Sequence, residues 1–539
     1  MNMNQKSIIL SALFAAALLL LVLPAAAESS GDFKYALNDD GTVKITQYTG
    51  RAAELKIPAK LDGKKVTVIG KTAFYKRNSL TSVTIPDSVT KIGDAAFSDC
   101  SNLTSVTLPN SVTSIEKEVF FGCISLTNMT IPDSATSIGE DAFRACLSLT
   151  SVTIPNSVTS ISTNPFIGCG NLRSIKISPD HPALAMIDGV LFSKADKRLV
   201  WYPMTKNATK YSIPQGIAII GDWAFSFCSS LTCVKIPDSV TKIGESAFCF
   251  CSSLTSVTIP EGVRSIGDSV FLECSSLTSV MIPSSVTSIG YSAFSHCSSL
   301  TGVTIPSSVT KIGKGAFSDC SRLTSVTIPD SVTNIGSYAF ALCSSLTNMT
   351  IPSSVMRIEE CAFYRCTMLK NVTIPGSVTS IGKEAFSSCA SLTGVTILDG
   401  VTGIGKWMFM NCVNLTSVSI PGSVTMIGEG AFSSCASLTS VIIPDGVTSI
   451  GLRAFGLCSK LTSVTIPKSV TSIGDGAFFR CSSLTSMTIP DSVTKIGFAA
   501  FSDCPNLTLT VSHTSYAEQY CKKNDITYMY PDSLDWLNN

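Results

Sequence analysis

Residues 254–276 read LTSVTIPEGVRSIGDSVFLECSS, and the spacing within that stretch decides the fold. Val257 and Ile259 point one way and Thr258, between them, points the other, as in a half-buried strand. Pro260 ends the strand because it has no N–H to give to a ladder. Val263, Ile266, Val270 and Phe271 then mark the inner side of a return path, with Gly267 expected to permit a turn at positive φ. Cys274 completes the pattern. Leu277 opens the next copy, 23 residues after Leu254. The same step carries Leu80 to Leu172 and, after one interruption, Leu231 to Leu507, which makes 18 units. One such unit cannot bury its own apolar face, whereas stacked units cover one another. Eighteen of the 26 phenylalanines stand at the Ala-Phe position, from Phe74 to Phe501, and predict an aromatic spine beneath a parallel sheet. Glu116, Ser162 and Glu359 occupy the glycine place in three units, so glycine there is preferred and not obligatory.

The period and the L-x-x-L-x-L core belong to leucine-rich repeats. The expected fold is a mostly β repeat solenoid of the α/β type, with 23-residue repeats and a parallel sheet on its concave face. The Ile-Pro step, the Ile-Gly-x-x-Ala-Phe segment and the terminal Cys go further. Together they resemble the BspA-like, Treponema-type leucine-rich repeats of exported microbial surface proteins. The resemblance runs from about Gly31 to Tyr530. Departures are few: Leu398 replaces Pro, Arg77 replaces the first Cys, and Leu108 replaces one Ile. What the resemblance implies is adhesion to host matrix proteins, to other microbial cells or to host receptors.

Composition narrows the chemistry. Lys plus Arg (39) nearly cancels Asp plus Glu (38), so no global field draws in nucleic acid or an anionic membrane. The three histidines, His181, His296 and His513, lie far apart in sequence and do not suggest a metal cage. Neither a G-x-S-x-G elbow nor a phosphate-cradling G-x-x-x-x-G-K-[ST] occurs. The expected protein is therefore not an enzyme and takes no cofactor. Seventeen of the 21 cysteines fall three residues after the repeat Phe, where stacking would place them ~4.8 Å apart with parallel Cβ vectors. That arrangement predicts a ladder of buried thiols. Cys233, Cys249, Cys361 and Cys521 stand off the ladder and are the places expected for an odd bridge or a reactive thiol.

The chain divides accordingly. Residues 1–27 read as a cleaved export signal: Lys6, an apolar stretch from Ser7 to Leu23, then Pro24-Ala25-Ala26-Ala27. An uncleaved anchor is the rival reading. No later apolar stretch is long enough to span a bilayer, so the mature chain is not expected to cross one. Residues 28–79 are expected to form an N-terminal cap and a first irregular repeat, with a hairpin around Asn38-Asp39-Asp40-Gly41. Repeats fill 80–177 and 212–507. Residues 508–539 are expected to form a C-terminal cap with a short helix over Ser515 to Asn524. The interruption, 178–211, reads as an enlarged hairpin-like repeat with a polar tip at Ala195-Asp196-Lys197. Its aromatics either pack inward or form a protruding contact patch at Trp201 and Tyr202.

The outward strand position supplies the candidate binding face. It carries Thr84, Thr107, Thr130, Thr153, Lys176, Lys235, Thr258, Met281, Thr304, Thr327, Thr350, Thr373, Thr396, Ile442, Thr465 and Thr488. Threonine suits a half-exposed strand in any case. As a surface, the row is long, polar and weakly charged, and fits extended contact with a protein or cell-surface ligand. A structural scaffold of the cell envelope without a specific ligand is the chief alternative. Ice or lattice binding by the threonine row is a remote one.

Overall fold

The computed structural model describes residues 28–531; the expected export signal lies outside them, as do residues 532–539 of the expected C-terminal cap. The described chain forms two compact units, one of residues 28–195 with 200–205, the other of 196–199 with 206–531. Counting the repeat leucine as position 1, positions 3–5 form a three-residue strand that pairs in parallel with its copy 23 residues on. In the first unit Asn128–Thr130, Ser151–Thr153 and Ser174–Lys176 lie side by side. In the second, Thr304 pairs with Thr327 and Thr327 with Thr350. The register follows from the period: a slip of one residue would turn Val303 and Val326 outward and the threonines inward.

The return path contains a second row of parallel strands that the sequence did not announce. Lys311–Ile312 lies between Ser288–Ile289 and Asn334–Ile335. Two residues per strand are too few to show an alternation, so the row is visible only once the units are stacked. Between the two rows run the phenylalanines. In the first unit the rings from Tyr48 and Phe74 to Phe166 follow one another at 4.8–5.8 Å, and Trp201 closes the run edge-on against Phe166. In the second, Phe225 to Phe501 stack at 5.0–5.7 Å, and Tyr520 meets Phe501 edge-on.

Glycine at position 14 is required for a different reason from the one expected. Gly313 and Gly474 do not adopt positive φ. A Cβ on Gly313 would stand 2.5 Å from the carbonyl oxygen of Gly290, and one on Gly474 would stand 2.6 Å from the carbonyl carbon of Gly451. Close approach of successive turns selects the residue. The approach varies, for Gly267 has only ordinary contacts near 3.8 Å, and a side chain at this position is accommodated at Glu116, Ser162 and Glu359. Positive φ falls instead at positions 16 and 20, as at Ser269 and Glu273 or Tyr338 and Leu342.

Proline at position 7 acts as expected, and its replacement within the second run of repeats shows why. Where Leu398 stands in its place, its N–H donates to the Ile374 carbonyl at 3.0 Å. The strands there, Asn371–Ile374 and Gly394–Ile397, extend to four residues. A proline would have no hydrogen to give.

At the N-terminal end Phe33–Leu37 pairs antiparallel with Glu28–Ser30 and with Val43–Tyr48, and Val43–Tyr48 then runs parallel to Lys64–Ile69. In the interruption, Leu184–Ile187 pairs antiparallel with Val190–Ser193. Asp188 and Gly189 make that turn, both at positive φ. The polar tip, Ala195 to Lys197, is also a turn. Trp201 and Tyr202 are 2% and 1% exposed. The protruding patch is thus corrected: burying large aromatic surface outweighs presenting it, and both rings belong to the core.

At the C-terminal end a helix, Tyr516–Lys523, is capped by the Ser515 hydroxyl, which accepts from the Glu518 N–H. Glu518 in turn accepts from the Lys522 ammonium (2.7 Å), the Tyr530 hydroxyl (2.6 Å) and the Thr514 N–H (2.7 Å). Those bonds, that from Lys522 foremost, hold its carboxyl down at about 2. A folded-state value below the unfolded one contributes stability above about pH 4.5, and that contribution is lost as pH falls toward 2. Peptic cleavage between Thr508 and Pro531 is therefore expected to appear only as the pH drops from 4 to 2. Glu518→Gln should be cleaved there already at pH 4. Equal resistance of the two proteins across that range would refute the coupling.

Candidate binding surface

All 16 outward strand residues chosen from the sequence are exposed. Thr84, Thr107, Thr130, Thr153 and Lys176 lie in the first unit and the other eleven in the second. Each is held by its strand between inward-facing neighbours, most of them buried: Val303 and Ile305 flank Thr304, and Val326 and Ile328 flank Thr327. Met281 and Ile442 are 69% and 75% exposed, unusual values for apolar side chains. The sequence reading missed Lys210 and Ser212, on the strand Lys210–Ser212 that opens the row of the second unit. That repeat has Ala208 where the leucine signal would be.

The hydroxyl groups of the repeat divide into two kinds. At position 2, Thr324 donates to the Thr301 carbonyl (3.0 Å) and Thr278 to Thr255 (3.0 Å). At position 9, Ser331 donates to the Val309 carbonyl (2.6 Å). At position 11, Thr287 donates to the Arg264 carbonyl (3.2 Å). These rows bind each repeat to the one before. At position 5 the pattern stops: among the described residues, the hydroxyls of Thr304, Thr327 and Thr350 have no protein partner. The geometry explains the difference. A side chain that stands perpendicular to the sheet on a paired strand points away from carbonyls already taken up by the ladder.

The thiols face the other way. Apart from Cys228, ladder sulfurs lie 3.0–3.3 Å from the carbonyl of the preceding repeat's Phe, as Cys100 from Phe74 and Cys389 from Phe363. Desolvation pushes them up, Cys343 and Cys389 to about 12, so they are not nucleophiles at neutral pH. Of the off-ladder cysteines, Cys249, Cys361 and Cys521 are buried and Cys233 is half-buried.

Stacking also brings together a pair that sequence distance hid: His296 Nδ1 lies 3.0 Å from Asp319 Oδ2, both side chains well exposed. The adjacent Cys297 thiol is aimed inward at the Phe271 carbonyl, so the pair has no activated thiol beside it. Among the described residues no group of three His, Cys, Asp or Glu is placed to hold a metal ion. Among the same residues no helix is long and apolar enough to cross a membrane.

Among curated proteins none matches the chain. Solved structures do. A leucine-rich cell surface protein from Faecalibacterium prausnitzii A2-165 is 27% identical over 94% of this chain and 98% of its own, with a TM-score of 0.30. The leucine-rich repeat protein of T. pallidum is 29% identical over 42% of this chain and 90% of its own, with a TM-score of 0.30. A leucine-rich repeat protein from Bacteroides ovatus ATCC 8483 is 24% identical over 93% of this chain and 98% of its own, with a TM-score of 0.32. The family description "BspA type Leucine rich repeat region (6 copies)" matches residues 67–195, 202–323, 288–416 and 402–525. That family match covers most of the chain and agrees with the 23-residue period, the Ile-Pro step and the phenylalanine stack: the chain belongs to the BspA-type leucine-rich repeat family.

Proposed function

We propose that this is a non-enzymatic binding protein, exported and held at or near a cell surface, that attaches to macromolecules of a host matrix or of other cells through its outward strand row. The observation that carries this reading is the hydroxyl division. Positions 2, 9 and 11 use their hydroxyls between repeats, whereas position 5 keeps its own for solvent or a ligand. A row with no internal work to do, repeated in register, suits a long ligand that makes many weak contacts, whose avidity grows with their number. Position 3 of the same strands is open in the same way, as at Ser279 and Ser325, so both outward positions of the row are left to solvent or a ligand.

Replacing Thr304, Thr327 and Thr350 together by Tyr tests it. Tyrosine suits an exposed strand, so the fold should persist, while the added bulk covers three consecutive ligand positions. Capture on matrix-coated surfaces and on whole cells is expected to weaken by roughly tenfold or more, a loss of about 1.4 kcal/mol. Unchanged capture with a native circular dichroism spectrum would remove the strand row as the binding face.

A further inference from the structure

The near-zero net charge conceals a segregation. In the second unit the outward row comprises 14 strands, from Lys210–Ser212 to Thr508–Thr510. No Asp or Glu occurs in any of them or in the three residues before each. Acids lie elsewhere in the repeat: after the proline, as Asp238 and Asp330, or after the glycine, as Glu245 and Asp268. Cations are not excluded from the row. Lys210 and Lys235 stand on adjacent strands, and Arg322, Lys370 and Lys460 stand just before theirs, all exposed. Among the described residues none of these five is in an ion pair; in the glycine-side row Lys383 pairs with Glu360 (3.0 Å) and Lys406 with Glu429 (2.6 Å), while Lys314 is likewise in no ion pair.

The row also lacks what a protein partner needs. From Ser256–Thr258 to Ser486–Thr488 the outward positions 3 and 5 hold Ser, Thr, Asn and Gly, with no aromatic residue. Met281 and Ile442 are the apolar exceptions there. Protein interfaces draw their affinity from buried aromatic and arginine anchors, and this face has none of the first at its centre. Unengaged hydroxyls with scattered, unpaired cations suit a hydroxylated, negatively charged polymer that lies along the strands' stacking direction.

We infer that the strand row of residues 206–531 binds an acidic polysaccharide, its carboxylate or sulfate groups held by Lys210, Lys235 and Lys370 and its hydroxyls by the threonines between them. Lys235 and Lys370 lie six repeats apart, roughly 29 Å at ~4.8 Å per strand, a distance that a polymer bridges and a monosaccharide does not. The inference rests on the reading of this row as the binding face, and it adds the chemistry of the ligand.

The test uses the full chain against four immobilised probes: heparin, alginate, uncharged dextran and polyglutamate. Retention is expected on heparin and alginate, with release as salt rises, because exposed charges are screened within about 10 Å at 0.1 M. Dextran should not retain the protein. The triple variant Lys210→Glu, Lys235→Glu, Lys370→Glu is expected to bind both acidic polysaccharides about tenfold more weakly. Failure to bind either of them, or undiminished binding by the variant, overturns the inference. So does tighter capture by polyglutamate, which would indicate an acidic protein partner. If the Tyr variant of Thr304, Thr327 and Thr350 loses capture on cells while heparin and alginate fail, the binding face stands and only its ligand class falls.

Discussion

Phe317→Ala is expected to cost about 3–5 kcal/mol, the range for removing a fully buried aromatic ring, and to split the unfolding of the second unit into two steps. Phe317 is fully buried and stacks on both sides, 5.2 Å from Phe294 and 5.4 Å from Phe340. Each stack adds about 0.5–1.5 kcal/mol beyond area burial. In a repeat array these terms belong to the interfaces between neighbours, so a defect there weakens the coupling between the repeats before it and those after it. Denaturant unfolding followed by circular dichroism should change from one transition to two. Phe250→Ala provides the comparison. Phe250 stacks closely on Phe227, at 4.7 Å, but is 38% exposed at position 20, and its removal should cost under ~1 kcal/mol. Equal losses for the two variants would show that the spine is not what couples the repeats.

How far the sequence could be read depends on the direction in which an interaction runs. Contacts that recur every 23 residues were legible, because the period itself reports them: the outward threonines, the phenylalanine stack and the inward thiols all came from counting. Contacts that depend on the distance between turns were not. Gly313 was assigned a turn conformation, whereas the requirement is the carbonyl of Gly290 lying where its Cβ would be. Nothing in the residue type separates the two causes. The same holds for His296 and Asp319, 23 residues apart and joined across the stack. Trp201 and Tyr202 admit two readings from sequence for another reason. Local aromatic content is the same for a core and for a patch, and only the packing of Trp201 against Phe166 decides between them. The charge segregation was present in the sequence throughout, but it acquires meaning once residues before the strand and residues after the glycine are known to lie in different rows.

The thiol ladder should make the protein fail in alkali, well before its arginines titrate. Ladder sulfurs are raised by desolvation, Cys343, Cys389 and Cys458 to about 12, while an unfolded thiol titrates near 8.5. A folded-state value above the unfolded one means full stability below the unfolded value and progressive loss as pH rises toward the folded one. Between those limits each thiol removes about 1.4 kcal/mol per pH unit. Seventeen of them occupy the repeat position, so even a few neighbouring repeats lose, within one pH unit, an amount comparable with the roughly 5–15 kcal/mol that stabilises a typical domain. Under reducing conditions the circular dichroism of the native fold is therefore expected to collapse between about pH 9 and 11. Replacing Cys297, Cys320 and Cys343 by Ala leaves three small cavities yet removes three titrating groups. It should lower stability at pH 7 and flatten the alkaline loss, a crossing that a purely structural role for the sulfurs would not produce. Alkylation at pH 7.5 supplies the complementary reading: Cys233, half-buried and off the ladder, should react in the native protein and the buried ladder thiols only after unfolding. Stability that stays level to pH 11, or prompt native labelling of the buried thiols, would show that the sulfurs are not held in the desolvated, hydrogen-bonded state that their contacts with the phenylalanine carbonyls describe.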